Sequence, residues 1–494
     1  MRTPFLNRLP LAVLIAFMLA FGSWLPEASA SKRPNVVFIF IDDQGYYDLG
    51  CYGATEVNTP RIDALAEKGI RFTNFYSAAP ICSPSRAGLL TGLYPRRTGN
   101  HVWVHRPEST EGIPSEVLTV SELFKTAGYA TACIGKWHLG FDEESLPWNQ
   151  GFDYYYGILH NLDSFEVSHF DDEGGMPLQR NREVLERGTS PDHLTEMYTT
   201  EAISWIEEKA TKGDEPFFLY LPHTMLHDPL GVSEKFKGSS NWGEYGDAIQ
   251  EMDYNVGRIV DALERLEIDD ETLVIYMSDN GRWPGRNKDQ PLVGSKLTTF
   301  EGGMRVPCIA YGPGLGVKGG LESTTLAHAM DWYPTLASIA GIKIPEGMLL
   351  DGRDLSAMML GEVEGTPAFD RSVSLNAEVP LRRIVDPSSE WAKWFTEEEY
   401  LNAFFYHGSH GELTGVRYGD WKLVLGRKLQ LFNLKDDPKE SIPLRAPWLF
   451  DDKTPPQNPA DRKFWMNGRM QSKLRGMIVQ FQREMSRGRM YWNE

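Results

Sequence analysis

The 494-residue sequence predicts an α/β fold. Its centre is a large mixed, mostly parallel sheet sandwiched by helices, followed by a smaller C-terminal α+β subdomain containing an antiparallel sheet. Three observations lead there. Short apolar runs alternate with helical patterns along most of the chain, the order that builds parallel sheets. Polar or charged residues (Asp42, Lys136, His223 and Asp279) stand where those runs end, as at strand termini that line a ligand crevice. Residues 386–494 depart from this pattern: Gly415 to Leu425 and Leu429 to Leu434 alternate like antiparallel strands, and Arg462 to Arg487 supplies a helix.

Taken in order, residues 1–30 read as a secretory signal peptide. Arg2 and Arg8 give a cationic start, Leu11 to Phe21 is apolar, and Ala28-Ser29-Ala30 fits a small-residue cleavage site. The apolar run is shorter than the roughly 20 residues of a spanning helix, so the chain is expected to be exported, periplasmic or secreted, without stable membrane insertion. A main domain over 31–385 follows. Asn35 to Ile41 reads as a buried strand, and Thr59 then caps a helix with Pro60 in its first turn. Further strands are predicted at Ala130 to Ile134, Phe217 to Leu221, Thr272 to Met277 and Pro307 to Tyr311. Helices are predicted at Val120 to Ala127, Leu194 to Ala210, Asp247 to Leu266 and Ala327 to Ala340.

The net charge of −18 and the lack of a basic run argue against a nucleic-acid partner. They also require any anionic substrate to be held by a local cluster of cations and metal. There are four cysteines, Cys51, Cys82, Cys133 and Cys308, too few in so long a chain for a disulfide framework. Cys133 and Cys308 sit in apolar runs where buried thiols are expected.

The run Cys82-Ser83-Pro84-Ser85-Arg86-Ala87-Gly88-Leu89-Leu90-Thr91-Gly92 puts Cys82 at or just before a helix N-terminus, with Arg86 one turn on. Alone, this fits either a thiolate nucleophile beside an arginine or a structural cysteine. Asp42-Asp43 and Asp279-Asn280 end two separate strands, and such oxygen pairs suit a hard cation if the strands bring them together.

The cysteine run resembles the signature of the formylglycine-dependent sulfatases, in the alkaline phosphatase superfamily, at every fixed position. Further motifs follow in the family's order: Gly135-Lys136-Trp137-His138-Leu139-Gly140, Phe217 to Pro229, and Lys296 to Pro307. The resemblance implies a sulfuric ester hydrolase of arylsulfatase type, in which a maturation enzyme converts Cys82 to formylglycine. It implies Asp42, Asp43, Asp279, Asn280 and the modified Cys82 as ligands of one calcium (or magnesium) ion. It assigns Cys82, Arg86, Lys136, His138, His227 and Lys296 to catalysis, with Lys136, His227, Lys296 and Asn161 against the substrate. His138 would orient or deprotonate the formylglycine hydrate, and His227, with Lys296, would protonate the leaving oxygen. His223 is the alternative to His227, and His160 to Asn161. Arg305 is read as an anchor for its loop.

The substrates implied are sulfate esters, chiefly of sulfated carbohydrates, with aryl sulfates open. The alternatives are a phosphonate or phosphate ester hydrolase of the same superfamily, a non-catalytic secreted glycan-binding relative, and a thiol enzyme using unmodified Cys82. Aromatic stretches at Tyr154 to Tyr156 and Trp391 to Tyr406, with His407 and His410, either line a pocket or anchor the core.

Overall fold

The computed structural model describes residues 33–163, 168–213, 215–286, 290–362, 395–426, 428–444 and 459–486. The predicted signal peptide and the expected boundary near residue 385 lie outside them.

Among the described residues the main sheet has ten strands. Its central strands are β1 (Asn35–Ile41), β2 (Ala130–Lys136), β3 (Tyr154–Ile158), β4 (Phe217–Pro222), β5 (Thr272–Ser278) and β6 (Cys308–Tyr311). Their spatial order is β6-β5-β1-β4-β2-β3, and every pair from β5 to β3 is parallel, whereas β6 runs antiparallel to β5. Ile70–Phe72 and Leu321–Ser323 extend the sheet beyond β6, and Pro177–Arg180 and Glu183–Arg187 extend it beyond β3. The prediction of a mixed, mostly parallel sheet therefore holds, and both faces of the sheet are covered.

The alternation of β1 shows how. Val36, Phe38 and Phe40 enter one core, and Val37, Ile39 and Ile41 enter the other, because successive side chains leave a strand on opposite faces. The first core is closed by α2 (Cys82–Thr91), α3 (Val120–Thr126) and α6 (Trp332–Ile339). The second is closed by α1 (Pro60–Lys68), α4 (Pro191–Lys212) and α5 (Glu244–Arg265). Each large apolar side chain buried this way contributes about 1.5–3 kcal/mol, so burial on both faces holds the central strands firmly.

Two helix starts differ from expectation. The Thr59 hydroxyl makes no capping bond to α1; it donates to Asp63 at 3.0 Å, and Asp253 of α5 accepts from the Arg61 and Ile62 amides at 3.0 and 2.8 Å. A distant carboxylate thus serves the helix end that the local residue was expected to serve. The helix expected from Ala327 begins only at Trp332. Ala327–His328 pairs with Phe75–Tyr76 as a short parallel bridge, and the Asp331 carboxylate accepts the His328 amide at 2.9 Å.

The C-terminal antiparallel sheet consists of β7 (Phe404–His407), β8 (Leu413–Tyr418), β9 (Trp421–Val424) and β10 (Gln430–Asn433), in sequential order. With α7 (Pro459–Ser486) it shares the first core: Leu474, Met477 and Phe481 belong to the same apolar cluster as Phe404, Phe405 and Val416. Most of the aromatic stretches weighed as pocket linings are core instead, since Tyr155, Tyr156, Phe404, Phe405 and Tyr406 are all buried. Residues 391–394 of the second stretch lie outside the described residues. All four cysteines are free, with Cys133 and Cys308 buried as expected. Among the described residues no helix is long and apolar enough to cross a membrane.

Candidate active site

The parallel register brings the two oxygen pairs together. Ile41 of β1 lies beside Ser278 of β5, so Asp42-Asp43 and Asp279-Asn280 emerge side by side. The Asp279 amide donates to the Ile41 carbonyl at 2.9 Å, and the Asp43 amide to Asp279 Oδ1 at 3.2 Å. Asn280 Nδ2 donates to Asp43 Oδ1 at 2.7 Å, while Asn280 Oδ1 is buried without a partner.

Cys82 is the first residue of α2, which ends at Gly92 with a φ of 67°, a left-handed turn that a side chain would disfavour. This start puts Cys82 Sγ 3.3 Å from Asp42 Oδ1 and 3.2 Å from Lys296 Nζ. Ligand atoms of Asp42, Asp43, Cys82 and Asp279 all lie within 4.8 Å of one another, and His227 forms a second such group with Asp42 and Cys82. The chain therefore holds a buried Asp/Cys/His cluster able to coordinate a metal ion.

Three cations brace the carboxylates. Arg86, one turn into α2, donates from Nη2 to Asp42 Oδ2 at 3.1 Å and to Asp279 Oδ2 at 3.0 Å, and from Nη1 to the Lys136 carbonyl at 2.6 Å. Lys136 closes β2 and pairs with Asp42. Lys296 pairs with Asp43 at 2.8 Å. Arg305 donates from Nε to the Thr73 carbonyl at 2.9 Å and stands over the Tyr46 ring, away from the cluster.

The backbone turns sharply just after Lys136. Trp137 is fully buried and its indole donates to the Ser145 carbonyl at 2.9 Å, after which His138 turns with a φ of 62°. Asp43 and Leu297, beside the other site residues, also have left-handed φ values of 56° and 73°. Such strain in residues with side chains persists only where the surroundings fix it.

The histidines divide. His227 Nε2 is 3.9 Å from Asp43 Oδ2, and its Nδ1 lies 2.7 Å from the Asp228 carbonyl; a carbonyl only accepts, so Nδ1 carries the proton and Nε2 is the free acceptor. His223 lies against Tyr198 in the core instead. The His138 ring meets His160, with centroids 4.4 Å apart, and neither His138 nitrogen has a hydrogen-bond partner. Asn161 is buried beyond His160 and its Oδ1 is also unpartnered.

Electrostatics separates these groups. Burial raises the Asp42 carboxyl, but Lys136 and then Arg86 outweigh it and hold it well below the usual range. Burial pushes Asp43 up to about 7 against the pull of Lys296, with Asp42 and Asp279 adding to the rise. Burial and Asp42 likewise raise Asp279. Two of the three carboxyls are thus short of the positive charge that would fully ionise them, and the set includes an unused buried oxygen on Asn280. Both observations fit the oxygen-rich ligand set of a hard cation. Burial, then Asp42, pushes the Cys82 thiol well up. Burial, then neighbouring lysines, holds His138 and His227 well below 6.5. Burial opposes the charge on Lys296, but the neighbouring carboxylates, Asp43 foremost, keep it protonated.

Trp283 also borders the site and was not singled out in the sequence. It follows the Asp279-Asn280-Gly281 turn, with its ring centroid 5.3 Å from Lys296 Nζ and 6.3 Å from the His227 ring. The available signal was a bulky aromatic residue just past a polar strand end.

Comparison with known proteins agrees with this geometry. A family model described as Sulfatase matches residues 34–342. The N-acetylgalactosamine-6-sulfatase of Canis lupus familiaris is 37% identical over 446 residues, covering 85% of this chain and 83% of that protein. Arylsulfatase A of Homo sapiens is 38% identical over 366 residues, covering 70% and 71%. The crystal structure of Ps i-CgsB in complex with k-i-k-neocarrahexaose superposes with a TM-score of 0.66 at 27% identity, covering 84% of this chain and 89% of that one. With a matched model over most of the fold, a close relative across most of the chain and a metal-binding cluster at the strand ends, the chain belongs to the sulfatase family, as an enzyme that hydrolyses sulfate esters.

Proposed function

We propose that this sulfatase is exported and acts on sulfated carbohydrates, with residue 82 converted to formylglycine by a maturation enzyme and one calcium (or magnesium) ion bound beside it. The observation that carries the reading is the position of Cys82. Its sulfur sits among carboxylates and beside Lys296, yet burial and Asp42 outweigh the lysines and keep the thiol protonated. A thiolate nucleophile needs the opposite environment. The carbohydrate assignment draws support from the names of the N-acetylgalactosamine-6-sulfatase and of the neocarrahexaose complex.

In this reading Asp42, Asp43, Asp279 and Asn280 hold the cation, which when bound supplies Lewis-acid polarisation of sulfuryl oxygens. Formylglycine supplies, as its hydrate, two hydroxyls on one carbon, which neither cysteine nor serine offers. The chain's own groups do the rest. Arg86 fixes Asp42 and Asp279 in place. Lys136 and Lys296 face the sulfate charge, and such preorganised donors are each worth about 3 kcal/mol.

His138, neutral and with both nitrogens free, takes a proton from the hydroxyl of residue 82. Lys296 already carries a proton for the departing oxygen. His227 starts neutral, and the arriving sulfate's negative charge raises its proton affinity so that Nε2 can share that role. Asn161 contributes its free Oδ1 to the substrate side.

Mass spectrometry of the tryptic peptide Phe72 to Arg86, from enzyme exported by its native host, tests the central step. An aldehyde or hydrate mass at residue 82 is expected. An unmodified thiol throughout an active preparation would overturn it. Parallel assays on aryl sulfate and aryl phosphonate then check the ester class, with sulfate the faster substrate.

A further inference from the structure

Trp283 has no place in the chemistry described above, yet it is 37% exposed beside the two groups assigned to the leaving oxygen. Its ring lies 5.3 Å from Lys296 Nζ and 6.3 Å from His227. Its position is fixed in part by hydrogen bonds of the preceding backbone. The Gly281 amide donates to the Gly303 carbonyl at 2.9 Å, and a Cβ on Gly281 would come within 2.0 Å of the Gly302 carbonyl oxygen. The Lys296 amide donates to the Arg282 carbonyl at 2.9 Å, tying the backbone just before Trp283 to the segment that carries Lys296. An indole held in this way, half in water, is a preformed flat apolar surface that costs little entropy to use.

What leaves when a sulfate ester is cleaved departs on the side of the protonating groups. The first body of the leaving group to meet the protein there is the sugar that carries the scissile oxygen, on the ring or on C6, and Trp283 borders that space. We propose that Trp283 is a stacking platform for the sugar ring that bears the sulfate, and so a specificity-determining residue. This rests on the sulfated-carbohydrate reading above. The C–H face of a pyranose covers the indole, while the sulfate is held independently by the cations beneath. Trp283 therefore distinguishes ring-bearing esters from the bare anion. Arg286 and Asp228, paired with each other nearby, add a polar rim suited to ring hydroxyls.

The test uses calcium-loaded enzyme with Cys82→Ala, in which nothing is turned over, with and without Trp283→Ala and Trp283→Phe. Calorimetric titration compares N-acetylgalactosamine 6-sulfate with inorganic sulfate. Trp283→Ala should weaken the sugar sulfate roughly 10- to 30-fold, the loss of one stacked face, while inorganic sulfate changes by less than about twofold. Trp283→Phe should recover part of the loss. Equal weakening of both ligands would overturn the platform, because Trp283 would then be acting through Lys296. No weakening of either would overturn it as well. Failure of the Trp283-containing protein to bind either ligand would instead count against the sulfate site itself, and with it the reading on which the platform rests.

Discussion

Two buried charge clusters lie close together in this fold and are built on opposite plans. One is the candidate active site. The other stands where the C-terminal sheet meets the loop after Lys296, and contains Glu301, Glu440, Lys422, Arg417 and Tyr76. In the second cluster the charged groups are paired with one another. Lys422 Nζ donates to the Thr299 carbonyl at 2.8 Å and to Glu301 at 3.0 Å, and forms an ion pair with Glu440 Oε1 at 2.9 Å, an oxygen that has no other partner. Glu301 accepts from the Tyr76 hydroxyl at 2.6 Å, and Glu440 from the Glu301 amide at 2.6 Å. The active-site cluster is equally buried but leaves Asn280 Oδ1 and both His138 nitrogens without partners. A closed network holds two elements together; an open one waits for a ligand. Burial and charge alone do not separate them, but buried groups left with neither a hydrogen bond nor an ion pair do.

Breaking each cluster in turn should produce opposite failures. Cys82→Ala removes the group at the centre of the open cluster. Sulfate ester turnover should fall by at least about 10⁴-fold, as for loss of a nucleophile, with little change in thermal unfolding. Lys422→Met does the reverse. It leaves Glu301 and Glu440 buried without their cation, a loss of about 3–5 kcal/mol in denaturant unfolding, while the folded fraction keeps its kcat within about twofold. If both variants moved both readouts together, the division between the clusters would not stand.

The sequence made the open cluster legible and the closed one invisible. Asp42-Asp43, Asp279-Asn280, Cys82, Arg86, Lys136 and Lys296 were found because each sits in a short motif at a strand end or helix start. The parallel register of β1 and β5 then brings the oxygen pairs together. Lys422 and Glu440 sit in no motif, and their partner Glu301 is more than a hundred residues away in sequence. The same distance hid Asp253, which serves the start of α1 from another helix. The first α6 turn was misplaced because residues 327–331 have helical composition, but Asp331 folds back on the His328 amide and starts the helix later. Local pattern predicted what local chemistry fixes, and missed what only the packed chain brings together.

Metal occupancy sharpens the comparison next. If the open cluster is a cation site, calcium at a hundred times its Kd should stabilise the protein by about 2.7 kcal/mol. Chelation should remove that gain, read as the shift in denaturant midpoint. Asp43→Asn should abolish most of the calcium-dependent shift while relieving carboxylate crowding in metal-free protein. An unchanged midpoint with and without calcium would remove the main physical reason for calling the cluster open.

The smallest effect tests whether an unpartnered group is by itself a mark of function. His407 is 2% exposed and, like His138, has no hydrogen-bond partner at either ring nitrogen. Its setting differs, however. It packs against the Tyr94 and Phe481 rings, with centroids 5.4 and 5.5 Å away, and lines an apolar cavity of about 300 Å³ with Leu413 and Met485. Burial, then Arg96, pushes its imidazole down to about 3. The folded chain thus keeps His407 neutral, while the unfolded chain protonates it below about 6.5. The stability it permits is complete above that value and is lost as pH falls from about 6.5 toward 3, by at most ~1.4 kcal/mol per pH unit. His407→Phe keeps the ring and removes the titration. Unfolding free energies of the variant and the parent should therefore diverge on acidification, by about 2 kcal/mol at pH 5 relative to pH 7, with sulfate hydrolysis unchanged. Parallel stability curves would show that His407 is not held neutral by the fold. A loss of hydrolysis would move it from the structural side of the comparison to the functional one, where His138 stands beside an open ligand cluster.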